Sequence, residues 1–216
     1  MTTPRFATVA VDVDSTLSGI EGIDWLAARR GEDVARHVAE LTTQSMHGVI
    51  PLEQVYRARL DAIRPRRDDV DELARAYVDA LAPGCAAAIS SLRHAGVQVI
   101  LVSSGIRNAL LRMALHLDFD VGDVHAVDIR FDTGGAYIGF DASSPLTTSA
   151  GKHKLLATLP VERPLLMVGD GATDLATRGA ADSFAAFTGF VSRDTIVRQA
   201  DVVVPSFAEL TTFVLP

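Results

Sequence analysis

Residues 9–17 read Val-Ala-Val-Asp-Val-Asp-Ser-Thr-Leu, a short β-branched apolar run that ends in two carboxylates one residue apart. No other stretch limits the possible folds as tightly. A short, largely apolar run of this kind suits a strand buried on both faces. Such strands belong to parallel sheets covered by helices on each side, so the chain is expected to be α/β. In open sheets of this class, ligands bind in the crevice beyond the carboxyl ends of the strands. Asp12 and Asp14 are therefore expected at the mouth of a crevice, on one side of the strand if it stays extended that far. Two carboxylates at close range oppose each other's ionisation unless a cation sits beside them. The economical reading is a magnesium site with one carboxylate free to do chemistry. The plain alternative is a strand end running into a helix cap, where Asp, Ser and Thr are also favoured.

The remainder of the chain supplies the layers such a sheet requires. After Asp14 the pattern turns helical and stays so to about residue 80. An irregular apolar face runs from Ile20 to Ala28 and ends near Gly31, and a second helix follows around Val34, Val38 and Leu41. Gly48 and Pro51 interrupt it, and Leu52, Val55, Tyr56, Leu60 and Ile63 then recur at helical spacing. Pro65 closes that helix, and Asp68, Asp69, Asp71 and Glu72 open another as a solvated, dipole-compatible start. From Pro83 the elements alternate: a helix to Gly96, a strand over 97–102, a helix over 106–117, and a strand pair at 124–131 and 136–140. The turn Asp132-Thr133-Gly134-Gly135 marks that pair as a hairpin. A helix over 153–159, a strand over 164–168 and a helix from Thr173 follow, with shorter pieces at 183–187, 195–199, 202–204 and 207–213. The expected architecture is a Rossmann-like parallel sheet with helices on both faces, built from residues 1–16 and 81–216. A helical cap, residues 17–80, is inserted after the first strand.

Composition narrows the function classes. At a net charge of −7 over 216 residues, a nucleic-acid groove is not expected, although local positive charge can still draw an anionic substrate. Cys85 is the only cysteine, which excludes an intrachain disulfide and a cysteine-based zinc cage. No apolar run reaches the roughly 20 residues that span a bilayer. Met1 to Arg5 lack the basic-then-apolar pattern of a signal peptide. A cytoplasmic enzyme acting on a small metabolite is expected, as monomer or homodimer, without nucleic acid or membrane partners.

Four stretches fall at strand ends in this scheme and would converge on one sheet edge. They are Asp12 with Asp14, Ser103-Ser104-Gly105 at the start of a helix, Lys152 after Gly151, and Gly169-Asp170-Gly171-Ala172-Thr173-Asp174. These residue types suit phosphoryl transfer. A carboxylate can attack phosphorus, and a second carboxyl group can protonate the leaving alkoxide and then activate water. Magnesium takes oxygen ligands from one or two carboxylates plus phosphate and water. A hydroxyl, a helix N-terminus and a lysine neutralise phosphoryl oxygens. Taken singly each has a plainer reading. Gly-Asp-Gly-Ala-Thr-Asp partly mimics a dinucleotide loop but lacks its third glycine and comes late in the chain. Lys152 alone reads as a surface lysine, Ser103 as a turn residue, and Asp170 and Asp174 as caps. The specificity lies in the combination and its order.

That combination resembles the haloacid dehalogenase superfamily of phosphatases, and within it the phosphoserine phosphatases, over nearly the whole chain. Asp-Val-Asp-Ser-Thr, the Ser103 turn, Lys152 and Gly-Asp-Gly-x-x-Asp match its four motifs in order. The likeness extends to Glu21-Gly22-Ile23-Asp24, Met46-His47-Gly48, Glu53 with Arg57-Ala58-Arg59-Leu60, Gly139-Phe140-Asp141 and Val197-Arg198-Gln199. The resemblance implies Asp12 as nucleophile and Asp14 as general acid and base. It implies Mg2+ on the Asp12 carboxylate, the Asp14 backbone carbonyl and the Asp170 carboxylate, with Asp174 in support. Ser103, Ser104 and Lys152 would bind the phosphoryl group. Glu21 would meet a substrate ammonium and Arg59 a carboxylate, a pairing Arg suits by its bidentate geometry, with Thr173 also at the substrate. Without the resemblance, Glu21 and Arg59 read as exposed helix charges.

Three positions depart from the family pattern. Ser104 stands where Gly is usual, Leu52 replaces a common aromatic residue, and Val127-Asp128 replaces an Asn-Arg pair. They leave the hydrolytic set intact and fall where a substrate would be read. The expected activity is magnesium-dependent hydrolysis of O-phospho-L-serine through an aspartyl-phosphate. The alternatives are the same chemistry on another small phosphate ester, a phosphotransferase, or a non-catalytic phosphate- or magnesium-binding module.

Overall fold

The apolar run at the start of the chain forms β1 (Thr8–Val11), buried along its whole length. It lies inside a six-stranded sheet of order β3 (Val124–Val127), β2 (Gln98–Ile106), β1, β6 (Leu165–Gly169), β7 (Ser183–Phe187) and β8 (Val202–Val204), in which every pairing is parallel. The computed structural model describes residues 3–47 and 49–216; Met1, Thr2 and Gly48, the last an expected helix interruption, lie outside the described residues. Burial on both faces explains the near-continuous apolar reading of β1, of β2 and of β6. The sheet continues through β7 to its edge at β8. Helices α5 (Cys85–His94) and α10 (Phe207–Val214) pack on each other, as do α7 (Gly151–Leu156) and α8 (Ala172–Leu175). A last short helix, α9 (Asp194–Val197), precedes β8. This is the Rossmann-like α/β arrangement expected.

Between β1 and α5 the chain is helical: α1 (Gly22–Ala28), α2 (Glu32–Met46), α3 (Leu52–Ile63) and α4 (Arg67–Asp79). The acidic run at residues 68–72 lies in the first turns of α4, where the Asp69 carboxylate accepts the Arg66 N–H at 2.7 Å. Its apolar side, Val70, Leu73, Ala74 and Tyr77, is buried. The two segments leading into and out of the block run side by side. Gly19 N–H donates to the Ala80 carbonyl and Ala82 N–H to that of Leu17, both at 2.9 Å.

Two expectations are corrected. Ser103-Ser104-Gly105 are not in the first turn of a helix; they are the extended end of β2, and α6 (Arg107–His116) begins after them. Pairing to β1 stops at Leu101, but pairing to β3 resumes at Ile106 after a register shift, which keeps the serines extended past their central neighbour. The residues 124–131 are also not one strand of a hairpin. They split at Asp128 into β3 (Val124–Val127), in the main sheet, and β4 (Ile129–Phe131), which pairs antiparallel with β5 (Tyr137–Phe140) in a separate ribbon. Alternation alone cannot register such a break, because both halves keep the same period. The turn between β4 and β5 forms as expected, with Asp132 N–H donating to the Ala136 carbonyl at 2.9 Å and Gly135 at φ +78°. Among the described residues no helix is long and apolar enough to cross a membrane.

Candidate active site

The chain leaves β1 at Val11 and turns sharply, with Ser15 in the left-handed region at φ +54°. Asp12 is still held to the sheet edge, its N–H donating to the Val168 carbonyl at 2.9 Å. The turn sends the two carboxylates to different partners rather than leaving them side by side as the extended reading expected. Asp12 Oδ1 lies 2.6 Å from Lys152 Nζ. Asp14 Oδ1 accepts the Gly22 N–H and the Tyr77 hydroxyl, each at 2.7 Å. Gly22 is required there, because a β-carbon would sit 2.0 Å from the Tyr77 hydroxyl. The other oxygen, Asp14 Oδ2, faces Gly105: a β-carbon at 105 would lie 3.0 Å from it and 3.0 Å from Ser103 Oγ. Ser103 is buried, and its Oγ accepts the Gly105 N–H at 2.9 Å.

Lys152, the second residue of α7, reaches Asp174 Oδ1 at 2.6 Å as well as Asp12. Asp174 belongs to α8, and its Oδ2 accepts the Gly171 N–H at 3.0 Å. Asp170, in the loop after β6, accepts the Thr16 hydroxyl at 3.1 Å and is ion-paired with Arg193. Asp12, Asp170 and Asp174 are buried, and each offers an oxygen within 4.8 Å of the others. Carboxylate oxygens gathered in this way are the ligands that a hard divalent cation takes. Asp174, expected only in support, thus stands in the cluster itself, whereas the carboxylate of Asp14 is committed to Gly22 and Tyr77.

Burial dominates the electrostatics. Desolvation, reinforced by the charge of Asp174, pushes the Asp12 carboxyl up to about 7 against the pull of Lys152. Burial likewise raises Asp14, opposed by its bonds from Tyr77 and Gly22. Burial would lower the Lys152 ammonium, but Asp12 and Asp174 outweigh it and hold it above its ordinary value. A cation among these carboxylates would favour their ionised forms.

The helical block supplies the opposite wall. Glu21, just before α1, accepts the Ser15 hydroxyl at 2.6 Å, and burial followed by the nearby Asp14 raises its carboxyl to about 8. Arg59, on α3, is only 5% exposed, which overturns its reading as a solvated helix charge. Its Nη1 donates to Thr42 Oγ1 at 3.1 Å, and Thr42 donates to Asp24 Oδ1 at 2.6 Å. Arg59 Nε and Ser104 Oγ are buried with no hydrogen-bond partner among the described residues. Both residues line a cavity of about 50 Å³ together with Asp14, Glu21, Leu52 and Thr173. A wider cleft of about 550 Å³ adjoins it, sharing Glu21, Asp24 and Thr42 and bounded beyond them by His47 and Arg193.

The structure therefore brings together Asp12, Lys152, Asp170 and Asp174 in one cluster, with Asp14, Ser104, Glu21, Arg59 and Thr173 around an adjoining cavity and Ser103 buried behind Gly105. Several residues in contact with this set were assigned no role of their own from the sequence. Thr16 and Arg193 bond to Asp170, Tyr77 to Asp14, and Thr42 to Arg59. Arg193 follows β7 at the sheet edge where the other sites converge, the one signal that could have found it. Tyr77 reads as part of the apolar side of α4, and nothing in its spacing announces the hydroxyl's partner.

Comparison with known proteins adds an independent line. Residues 6–182 match the haloacid dehalogenase-like hydrolases. The chain is 36% identical over 205 residues to a phosphoserine phosphatase of Rattus norvegicus, covering 94% of this chain and 90% of that protein. It is 37% identical over 205 residues to one of Bos taurus, with the same 94% and 90% coverage. Among solved structures, a phosphoserine phosphohydrolase-like protein from Francisella tularensis superposes with a TM-score of 0.86. It covers 96% of this chain and 99% of that one at 22% identity, a likeness of fold.

Proposed function

The chain belongs to the haloacid dehalogenase-like hydrolases and is a phosphoric monoester hydrolase, and from that premise we propose that it cleaves O-phospho-L-serine to L-serine and phosphate. One observation carries the substrate: a cavity of about 50 Å³ is bounded by an acid, Glu21, a buried guanidinium, Arg59, and the Asp14 carboxyl. An amino-acid phosphomonoester has an ammonium for the first, a carboxylate for the second and a leaving oxygen for the third. The charges that line this cavity match such an ester group by group, and the wider cleft beside it gives the ester a way in. The rat and cattle relatives, both named phosphoserine phosphatases, support the same substrate.

In the first step an Asp12 carboxylate oxygen attacks phosphorus and the ester P–O bond breaks. The departing serine oxygen takes the proton of the Asp14 carboxyl. Tyr77 and Gly22 hold Asp14 Oδ1, which leaves Oδ2 to carry that proton, and burial keeps the carboxyl protonated more readily than an exposed one. In the second step Asp14, now ionised, removes a proton from water; the oxygen attacks phosphorus, the P–O bond to Asp12 breaks, and phosphate leaves. Lys152 holds Asp12 in place and, with Ser103 and Ser104, offers donors to the phosphoryl oxygens. Asp12, Asp170 and Asp174 fit a magnesium ion, with the Asp14 backbone carbonyl as a further oxygen ligand. Such an ion, when bound, neutralises charge on the transferring phosphoryl group.

Residues 17–80 act as a cap that closes over the substrate and brings Glu21 and Arg59 to it while excluding water. The paired connectors, 17–19 beside 80–82, support a hinge at those positions. The test is phosphate release from both phosphoserine enantiomers, phosphothreonine, phosphoethanolamine, sugar phosphates and nucleotides, with magnesium and with chelator. The expected result is magnesium-dependent turnover strongest on L-phosphoserine. A preferred ester lacking the ammonium or the carboxylate would overturn the roles of Glu21 and Arg59.

A further inference from the structure

Helix α3 carries Arg59, yet its own start has no local cap. Pro51 precedes its first residue and has no side-chain acceptor for the free N–H groups of the first turn. The missing acceptor comes from the sheet domain. Leu52 N–H donates to Ser149 Oγ at 2.7 Å, across 97 positions of sequence. Ser149 is held in return by the next residue of α3: its N–H and its hydroxyl both donate to Glu53 Oε2, at 2.8 and 2.9 Å. In a capping box within one helix, a serine accepts a backbone N–H of the first turn while a glutamate of that turn accepts the serine's own N–H. The same reciprocity is present here, divided between two parts of the fold. The Ser149 N–H bond also holds the Glu53 carboxyl below its ordinary range, in keeping with an ionised acceptor.

Each side of this box leads directly to a substrate contact. Leu52 is buried and lines the cavity, and Arg59 follows Glu53 by six residues, about 9 Å along the helix. On the other side Ser149 precedes Lys152 by three residues. The intervening backbone is tightly seated, since a β-carbon on Gly151 would lie 1.9 Å from the Pro145 carbonyl oxygen. Movement of Ser149 is therefore transmitted to the start of α7.

We propose that Ser149 and Glu53 are positioning residues, a capping box made in trans that fixes the distance between Arg59 and Lys152 and so selects esters bearing a carboxylate at the matching span. The inference rests on the reading of Arg59 and Lys152 given under Proposed function. Neither Ser149 nor Glu53 touches the cavity, so both can be changed without removing a catalytic or binding group.

The test compares Ser149→Ala, Glu53→Ala, the double variant and the conservative Ser149→Thr in the full chain. Steady-state kinetics on L-phosphoserine and on phenyl phosphate are measured together with amide exchange at Leu52. A lost cap weakens a helix start enough to raise KM for phosphoserine about three- to tenfold in each alanine variant. The value for phenyl phosphate, which has no carboxylate to be placed, stays the same. Exchange at the Leu52 amide accelerates in Ser149→Ala, Ser149→Thr behaves as the parent, and the double variant is no worse than the poorer single one. Equal losses on both esters, unchanged KM in both alanine variants, or strictly additive losses would each overturn the proposal. If the unaltered enzyme spares phosphoserine while cleaving another ester, the substrate reading fails by itself. The box is then judged on exchange: an unchanged Leu52 amide in Ser149→Ala refutes it, and an accelerated one upholds the cap.

Discussion

Replacing Glu21 by glutamine gives a pH signature that no other site residue reproduces. Burial and the neighbouring Asp14, Asp24 and Asp12 carboxyls hold Glu21 up to about 8, far above its ordinary 4.5. The form that pairs with a substrate ammonium is the ionised one. Below its pKa each pH unit costs about 1.4 kcal/mol to ionise it, so near pH 7 the free enzyme binds about tenfold less well than on its alkaline plateau. Because kcat/KM reports groups of the free enzyme, it should rise with pH on phosphoserine and level off near 8. Ionisations that both esters share shape the two profiles alike, and phenyl phosphate, lacking the ammonium, should show no bend near 8. In Glu21→Gln the bend near 8 disappears on phosphoserine, and the plateau falls by roughly a hundredfold, the value of one charge-assisted bond of up to about 3 kcal/mol. The assay is initial-rate phosphate release at substrate well below KM, from about pH 5.5 to about 9.5 at fixed magnesium. A bend near 8 that survives in the variant, or appears equally on phenyl phosphate, refutes the assignment.

Three further outcomes follow from the same geometry. Asp12→Asn should lower turnover by at least about 10⁴-fold while the far-ultraviolet spectrum is retained; activity in protein freed of host phosphatases would refute Asp12 as nucleophile. Arg59→Ala removes a buried charged partner, so kcat/KM on phosphoserine should fall by about 2–5 kcal/mol, at least thirtyfold, with a far smaller loss on phenyl phosphate. Equal losses would exclude Arg59 as the carboxylate anchor. Gly105→Ala places a β-carbon 3.0 Å from both Asp14 Oδ2 and Ser103 Oγ. Displacing the acid should cut kcat by about ten- to a hundredfold, and an unchanged kcat would mean that Oδ2 does not carry the transferred proton.

Much of this was legible in one dimension because it rests on local pattern. The apolar runs at residues 9–11, 165–168 and 183–187 are strands, and the alternation of strands with helices is the parallel sheet. Asp12, Lys152, Asp170 and Asp174 were legible as well, since a parallel sheet carries every strand end to one edge. Two local expectations failed for a long-range reason. The extension of β2 through Ser103-Ser104-Gly105 depends on pairing with β3, and the break at Asp128 depends on which half of a uniform pattern finds a place in the main sheet. Neither partner lies in the sequence window that suggested the element.

By itself, then, the order of residues determined the fold class, the helical insertion and the identity of the charged groups at the sheet edge. Periodicity and motif are properties of short segments, and the topology of parallel strands does the gathering. Only the tertiary structure decided how those groups face one another. It turned Asp14 away from Asp12 toward Tyr77 and Gly22, put Asp174 into the carboxylate cluster, and brought Arg193 to Asp170. It also buried Arg59 against Thr42 and closed the start of α3 with Ser149. The direction of a side chain at a turn, and the burial of a charge, depend on backbone conformation and on neighbours tens of residues away, which no local spacing encodes.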